Sequence, residues 1–224
     1  MSSQPQVELT SDGSCTLFVP ALDEHYHSVN GAIQESRHVF FNAGLTHCAK
    51  NEINIFEVGF GTGLNALLAQ IEAENSKKKI IYTSVEAYPI SGEIVEQLNY
   101  PDLLSCNRAV YENLHAAEWN VEVEISEYFS LHKIWIDFSQ IGANYILPQK
   151  YDLVFFDAFA PDKQPEMWSK LIFEIVYKHL NHKGILCTYC AKGAIRRIMQ
   201  EVGFRVERLP GPPGKREMLR ATKL

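Results

Sequence analysis

The residues best suited to chemistry begin with three glycines that follow a short apolar run. The segment from Phe56 to Asn65 reads FEVGFGTGLN, in which Gly59, Gly61 and Gly63 alternate with other residues. Glycines at such a bend let the backbone turn sharply and let a ligand approach the N-terminus of the next helix without a Cβ in the way. The segment predicts a strand, a ligand-binding turn and a helix.

A carboxylate follows the next predicted strand, where Glu86 ends the run 80–85. At that position it can accept hydrogen bonds from both hydroxyls of a ribose across the crevice. Leu64 stands where a dinucleotide fingerprint carries its third glycine, which favours S-adenosylmethionine over a dinucleotide. Asp137, after a third strand candidate, is placed to reach the adenine amino group, with a plain surface aspartate as the alternative. The residues predicted to bind this cofactor are Glu57, Gly59, Gly61, Gly63, Asn65, Glu86 and Asp137.

Asp157 ends the apolar run 151–156, which is typical of a parallel strand buried on both faces. Ligands bind at the carboxyl ends of such strands, and a buried carboxylate is costly unless it has partners. We therefore predict that Asp157 is a functional residue, with capping of the next helix as the alternative. The segment PEMW that follows places Trp168 where it could form the wall of a base-sized pocket, with core packing as the alternative.

Two groups of metal-ligating residue types need a separate explanation. Cys187 and Cys190 lie three residues apart, so on a strand they point to opposite faces, and no second Cys or His pair accompanies them. His25 and His27 flank Tyr26 without further ligands at metal spacing. We predict no metal site.

Positive charge is concentrated at the end of the sequence. Nine Lys and Arg against three Glu between Lys192 and Leu224 give this segment a charge of +6, so residues 1–191 carry −12 and the net charge is −6. Such a cluster either contacts phosphates or forms a solvated surface. The acidic remainder argues against a protein that coats nucleic acid unselectively.

The elements that must position these residues alternate between strands and helices. With 224 residues, of which 46% are hydrophobic, the chain can form one sizeable domain and is too short for two full enzyme modules. The alternation predicts a Rossmann-like α/β fold with a mainly parallel sheet and helices on both faces. An antiparallel pair, 204–209 and 216–221, should close the sheet at or near its edge.

The first fifty residues should form an extension of this domain. Asp12-Gly13 between two strand-like runs predicts a tight hairpin, since both turn positions then need positive φ. Apolar residues spaced by three and four predict a helix over 28–41, and another is expected over 101–119. We expect an N-terminal hairpin and helix at 1–50 and a domain at 51–224, together one compact unit.

The start of the sequence, MSSQPQVELT, has no basic segment leading into an apolar one. No stretch approaches the length of a membrane span. Five scattered cysteines fit reduced thiols better than a disulfide framework. We therefore expect a soluble, cytoplasmic protein with no membrane partner.

Several blocks together carry a family resemblance that covers the chain from about Leu9 to Leu219. They resemble, in order, the methyltransferase domain of the bacterial tRNA 5-methylaminomethyl-2-thiouridine biosynthesis protein. In that family's better-known members a flavin-dependent oxidoreductase domain follows, whereas this sequence ends where the methyltransferase does and looks like a stand-alone form. The blocks are HYHS, GA and ESRHVF, then FEVGFGTGLNAL, FDAFAPDKQPEMW, TYCAKGAIRRIMQEVGF and GPPGKREML.

The resemblance implies a class I methyltransferase that transfers a methyl group from S-adenosylmethionine to the exocyclic amine of 5-aminomethyl-2-thiouridine at the tRNA wobble position. Since an alkylammonium has no lone pair, Asp157 would orient the amine and receive its proton. A separate oxidoreductase or the enzymes that install the aminomethyl group would be partners. The residues expected to stack on the base are Tyr26, Phe159, Trp168 and Tyr189, and those expected to contact phosphates are Lys192, Arg196, Arg197, Lys215 and Arg216.

Three alternatives remain open from the residues alone. A methyltransferase or aminopropyltransferase acting on a small amine would use the same cofactor-binding residues and Asp157. It would have no use for the basic segment 192–224. A noncatalytic module would bind nucleotide or RNA without turnover. A dinucleotide oxidoreductase is disfavoured by Leu64.

Overall fold

The structure is a computed structural model that describes residues 4–224, and it consists of an eight-stranded mixed sheet, a small three-stranded sheet and the helices packed on them. The strands are β1 (Gln6–Leu9), β2 (Cys15–Val19), β3 (Glu24–His25), β4 (Glu52–Val58), β5 (Lys79–Glu86), β6 (Glu122–Ser126), β7 (Phe129–Trp135), β8 (Tyr151–Phe156), β9 (Leu180–Thr188), β10 (Phe204–Pro210) and β11 (Glu217–Lys223). The α-helices are α1 (Ala32–Ser36), α2 (Leu64–Ser76), α3 (Gly92–Gln97), α4 (Tyr100–Leu103), α5 (Arg108–Ala116), α6 (Lys170–His179) and α7 (Gly193–Val202). A π-helix, Arg37–Asn42, continues α1, and 3-10 turns span Leu45–His47, Phe138–Gln140 and Pro165–Trp168.

The large sheet has the strand order β10-β11-β9-β8-β4-β5-β7-β6. Its five central strands, from β9 to β7, are parallel, while β6, β10 and β11 pair antiparallel with their neighbours. The mainly parallel sheet and the closing antiparallel pair at its edge are therefore confirmed. From β4 the chain proceeds to β5 on one side, whereas β8 lies on the other, so a crevice opens where the two directions diverge.

The central strands are buried on both faces because helices cover both sides of the sheet. All six residues of β8 are buried, with Leu153 and Phe155 in one core and Val154 and Phe156 in the other. Residues of α2 and α5 complete the first core, and residues of α6 and α7 complete the second. The near-continuous apolar run of β8 is the sequence signature of this double burial.

The N-terminal hairpin is confirmed, but its turn differs from the prediction. Gly13 has a φ of 81°, whereas Asp12 does not have a positive φ. Instead, Asp12 accepts hydrogen bonds from the Thr10 hydroxyl and from the Ser14 backbone N–H, at 2.8 and 3.0 Å. Because Leu9 pairs with Cys15, the connection is longer than a two-residue turn and needs only one left-handed position.

Two predicted helices have different bounds from those expected. The helix expected over 28–41 begins at Ala32 and becomes a π-helix at Arg37. The helix expected over 101–119 is broken after α4, where Ser105 has a φ of 53° and Asn107 starts a new helix by accepting a hydrogen bond from the Ala109 N–H at 3.0 Å.

Residues 4–224 contain no helix that is both long and apolar enough to cross a membrane.

Candidate active site

A cavity of about 410 Å³ opens at the carboxyl edge of the sheet, which is a volume suited to a small-molecule ligand. Each of the five parallel strands contributes a residue at or just beyond its carboxyl end. Those residues are Gly59 after β4, Glu86 at the end of β5, Asp137 after β7, Asp157 after β8 and Tyr189 after β9. The structure therefore brings together side chains that are separated by up to 130 residues, and all five were predicted as site residues.

The glycine loop connects β4 to α2 and exposes its backbone to the cavity. Gly59, with a φ of 94°, donates its N–H to the Val85 carbonyl at 3.0 Å, and a Cβ there would lie 2.9 Å from the Asp157 carbonyl oxygen. A Cβ on Gly61 would lie 3.0 Å from the Tyr26 ring. Both positions therefore need glycine, because neighbouring groups approach from two directions.

Two carboxylates on the cavity wall are oriented by backbone N–H groups. Glu86 accepts hydrogen bonds from the Gly61 N–H at 3.0 Å and from the Tyr88 N–H at 2.8 Å. Asp137 caps a 3-10 turn by accepting from the N–H and the hydroxyl of Ser139, at 3.0 and 2.6 Å. Two fixed acceptors on neighbouring strands suit the hydroxyl and amino groups of a nucleoside.

The N-terminal segment 24–29 forms part of the cavity wall. His27 is hydrogen-bonded through Nε2 to the Thr62 hydroxyl at 2.8 Å, and its backbone N–H donates to the Thr16 hydroxyl at 3.0 Å. Burial lowers the pKa of His27 to about 4, so the ring is neutral near pH 7. This contact ties the segment to the glycine loop and places the Tyr26 ring over Gly61.

Asp157 lines the cavity, and its carboxyl group is oriented by Asn65, whose Nδ2 donates to Oδ2 at 2.9 Å. Burial raises the pKa of Asp157 to about 7, and the negative charge of Glu35 adds to this, whereas the Asn65 hydrogen bond and the charge of Lys215 oppose it. A carboxyl group with this pKa can accept and release a proton near neutrality. Asn65, predicted to bind cofactor, thus has a contact with the catalytic candidate itself.

An ion pair that the sequence did not predict forms part of the same wall. Lys215 Nζ lies 2.6 Å from Glu35 Oε1, and 3.8 Å from the centre of the Tyr189 ring. The other oxygen of Glu35 accepts the Ser28 N–H at 2.7 Å. Lys215 therefore lines the cavity, whereas the sequence predicted it among the residues that contact phosphates.

The sequence signal that could have identified Glu35 is its position on the buried face of a predicted helix. Glu35 lies three residues after Ala32 and four before Val39, both of which are buried. A carboxylate on the core-facing side of a helix needs a compensating partner. That partner, Lys215, is 180 residues away, and no local pattern could identify it.

Trp168 and two predicted cofactor residues lie outside the cavity. Trp168 is 2% exposed, packs against Phe156 and donates its indole N–H to the Phe159 carbonyl at 2.8 Å, which contradicts its predicted stacking on a base. Glu57 is fully buried beneath the loop, where the Ser84 hydroxyl donates to it at 2.7 Å. Gly63 begins α2, and a Cβ there would lie 2.7 Å from His115 Nε2. Packing accounts for all three residues.

The remaining basic residues lie outside the cavity and differ in exposure. Lys192 forms an ion pair with Asp162, and Arg196 is half-buried. Arg197 and Arg216 are exposed, and neither has a carboxylate within 4.0 Å in the described part of the chain.

The two closely spaced cysteines are buried on opposite sides of the sheet, with Cys187 in one core and Cys190 in the other. Within residues 4–224, no group of three or more His, Cys, Asp and Glu side chains is arranged to hold a metal ion.

Comparisons with known proteins point to one reaction class. A family model described as S-adenosyl-L-methionine-dependent methyltransferase matches residues 105–224. The tRNA 5-methylaminomethyl-2-thiouridine biosynthesis bifunctional protein MnmC of Actinobacillus pleuropneumoniae is 30% identical over 88% of this chain and 32% of the relative. The corresponding protein of Idiomarina loihiensis is 30% identical over 98% of this chain and 38% of the relative. This chain spans about a third of the length of these relatives.

The fold and the resemblance are supported by a solved structure as well. The crystal structure of MnmC2 from Aquifex aeolicus superposes with a TM-score of 0.81 at 27% identity, covering 98% of this chain and 70% of the other. The resemblance to the MnmC methyltransferase and the Rossmann-like fold are both confirmed.

The environment of Glu57 leads to a prediction about stability. Burial raises the pKa of Glu57 to about 8, from about 4.5 in an unfolded chain. Its contribution to stability is therefore fully present below about pH 4.5 and is lost as the pH rises through about 8, because the unfolded chain ionises first. We expect Glu57→Gln, which stays neutral, to raise the melting temperature relative to the parent by on the order of 5 °C more at about pH 8 than at about pH 5.

Thermal unfolding followed by circular dichroism at both pH values measures this difference. Glu72→Gln, an exposed change on α2, is the matched control and should show no such dependence. A pH-independent difference for Glu57→Gln would mean that Glu57 is ionised in the folded protein.

Proposed function

Because this chain belongs to the family of S-adenosyl-L-methionine-dependent methyltransferases, we propose that its substrate is the exocyclic amine of 5-aminomethyl-2-thiouridine at the wobble position of tRNA. The relatives named above are described by their role in 5-methylaminomethyl-2-thiouridine biosynthesis, and the N-methyl group is what such a transferase would add. The observation that carries the proposal is the position of Asp157, a carboxyl group with a pKa near 7 beside the glycine loop.

The residues on one side of the cavity fit S-adenosylmethionine. When bound, this cofactor supplies an electrophilic methyl group on a sulfonium. The backbone of Gly59 and Gly61, which no Cβ shields, would lie against it, and the Glu86 and Asp137 carboxylates would accept hydrogen bonds from its ribose and adenine. These are the acceptors that the sequence predicted.

The acceptor amine needs a base because alkylammonium groups have a pKa of about 10 and are protonated near neutrality. Asp157 would accept a hydrogen bond from the ammonium and then its proton, leaving a lone pair to attack the methyl carbon. Asn65 fixes the orientation of the carboxyl group at 2.9 Å. Positioning of the two reactants in line would supply most of the remaining acceleration.

Aromatic side chains around the mouth would hold the extruded base. Tyr26 and Phe159 meet edge to face with ring centroids 5.0 Å apart, and both line the cavity. Tyr189 also lines the cavity and donates its hydroxyl to the Ala158 carbonyl at 2.8 Å. Rings fixed in this way offer flat surfaces for a pyrimidine.

Exposed arginines near this edge would contact the tRNA backbone. Arg216 is next to Lys215 in the sequence, and Arg197 lies on α7, which follows the carboxyl end of β9. Lacking carboxylate partners in the described residues, both can bind phosphate. Enzymes that install the aminomethyl group must act before this step, because that group carries the amine to be methylated.

Removing the Glu86 carboxylate should weaken cofactor binding. Hydrogen bonds to a charged group are worth about 1.5–3 kcal/mol, so we expect Glu86→Ala to raise the Kd for S-adenosylmethionine roughly 10- to 100-fold. Titration calorimetry provides the measurement, and Glu93→Ala, an exposed change on the next helix, is the control. Equal affinities for Glu86→Ala and the parent would remove Glu86 from the cofactor site.

The reaction itself is tested with tRNA that carries 5-aminomethyl-2-thiouridine. We expect the parent to produce 5-methylaminomethyl-2-thiouridine, and Asp157→Asn to bind cofactor normally but react on the order of 100-fold more slowly, because an amide cannot take the proton. The parent's single-turnover rate should fall as the pH drops below about 7, where Asp157 becomes protonated. Nucleoside analysis by mass spectrometry follows the product.

Two results would contradict this proposal in different ways. Failure of the parent to methylate the tRNA, with turnover on a small amine, would favour a small-molecule methyltransferase. A near-normal rate for Asp157→Asn would leave the substrate standing and show that Asp157 is structural.

Removing phosphate-binding arginines should change how tRNA affinity depends on salt. For each arginine–phosphate interaction that a substitution removes, the slope of log affinity against log salt should become shallower by slightly less than one. We expect this for Arg197→Gln and Arg216→Gln, with unchanged affinity for the cofactor. Lys79→Gln, an exposed change at the opposite edge of the sheet, is the control, and equal slopes for all variants would place the RNA surface elsewhere.

A further inference from the structure

Lys215 is a cation built into the cavity wall by contacts on two sides. Its ammonium forms a 2.6 Å ion pair with Glu35 and lies 3.8 Å from the centre of the Tyr189 ring. The side chain is 33% exposed and lines the cavity. An ammonium has three N–H donors, and in the described part of the chain Glu35 Oε1 is its one hydrogen-bond acceptor. Donors therefore remain for a ligand.

Glu35 fixes this cation without being available to a ligand itself. Its side chain is 8% exposed, and its two oxygens accept from Lys215 and from the Ser28 N–H. A pair of this kind costs desolvation, which good geometry offsets only in part. If the pair served only to join two segments, two apolar side chains would do so at lower cost. What the cation adds is a charged donor inside the cavity.

The proposed acceptor base carries two neighbouring polar groups, and the cavity offers a hydrogen-bonding side chain for each of them. In a 5-aminomethyluracil, the amine at C5 is next to the carbonyl oxygen at C4. Asp157 and Lys215 both line the cavity, and Tyr189 connects their positions. Lys215 Nζ lies 3.8 Å from the centre of the Tyr189 ring, and the Tyr189 hydroxyl donates to the carbonyl of Ala158, the residue after Asp157, at 2.8 Å. An acceptor for the amine and a donor for the adjacent carbonyl are thus present in the same wall.

We propose that Lys215 determines the specificity for the base by donating a hydrogen bond from Nζ to the carbonyl oxygen next to the aminomethyl group. This inference rests on the proposed function. A cytosine carries an amino group in place of that carbonyl, so two donors would face each other and the base would be rejected. Lys215 would also place the amine at Asp157, because the two groups on the ring are fixed relative to one another.

The test compares two anticodon stem-loop RNAs that differ only in that group, with 5-aminomethyl-2-thiouridine or 5-aminomethyl-2-thiocytidine at the wobble position. We expect the parent to prefer the uridine RNA by about 100-fold or more in kcat/KM, as loss of a hydrogen bond to a charged donor predicts. In Lys215→Met this preference should fall to about 10-fold or less, with unchanged affinity for S-adenosylmethionine. The preference should fall because kcat/KM decreases on the uridine RNA.

A second variant separates recognition from folding. Lys215→Met leaves Glu35 buried without its partner, whereas Lys215→Met with Glu35→Gln leaves a neutral pair and should retain the melting temperature of the parent. Lys170→Met, which removes an exposed lysine on α6 that is paired with Glu174, should keep the full preference. Both Lys215 variants should show the same reduced preference.

The possible results separate this inference from the proposed function. If the parent methylates the uridine RNA and the folded double variant keeps the parent's preference, Lys215 does not read the base and the inference is wrong. A parent that methylates neither RNA overturns the proposed function and this inference with it.

Discussion

The site depends on β4 being hydrogen-bonded to a parallel strand on each side. The register aligns Val58 with Val85 of β5 and with Phe156 of β8, so these three strands end at about the same level of the sheet. Asp157 then donates its N–H to the Val58 carbonyl at 3.1 Å. Since side chains alternate along a strand, a slip of one residue in β8 would turn Asp157 away from the cavity and move the buried faces of the strand to the wrong sides. The packing of the two cores therefore fixes the register of β8, and this register directs Asp157 into the cavity.

The cavity is lined mainly by acidic side chains among its charged groups. Five carboxylates line the cavity against one lysine, namely Glu24, Glu35, Glu86, Asp137 and Asp157 against Lys215. An environment of this kind attracts cations, and both a sulfonium and an alkylammonium are cationic. Burial raises the pKa of Asp157, and the negative charge of Glu35 adds to this. Outside the cavity, Arg197 and Arg216 are exposed and carry the opposite charge.

The strands and the residues at their ends could be predicted from sequence because apolar runs and glycine spacing are local signals. Asp157 and Glu86 were found in this way, since each directly ends a run. Three features depended instead on contacts between distant segments: the His27–Thr62 hydrogen bond, the Glu35–Lys215 pair and the burial of Trp168. A tryptophan after a strand fits a pocket wall or a core equally well until the neighbouring helix is placed. Likewise, a basic residue in a turn looks like surface until its partner across the chain is known.

The pair between Glu35 and Lys215 has a consequence for the order in which the protein forms. Its members are 180 residues apart, so a ribosome adds the lysine long after the glutamate. The glycine loop, Glu86 and Asp157 all precede Lys215 in the chain. The part of the cavity proposed to bind the cofactor is built on the strands from β4 to β8. The wall that contains Lys215 forms only after β11 has paired with β9 and Lys215 has met Glu35, which lies 180 residues earlier in the chain. The loop-closure cost of that distant contact is met late. A nascent chain can thus form the proposed cofactor pocket before the wall that contains Lys215 is complete.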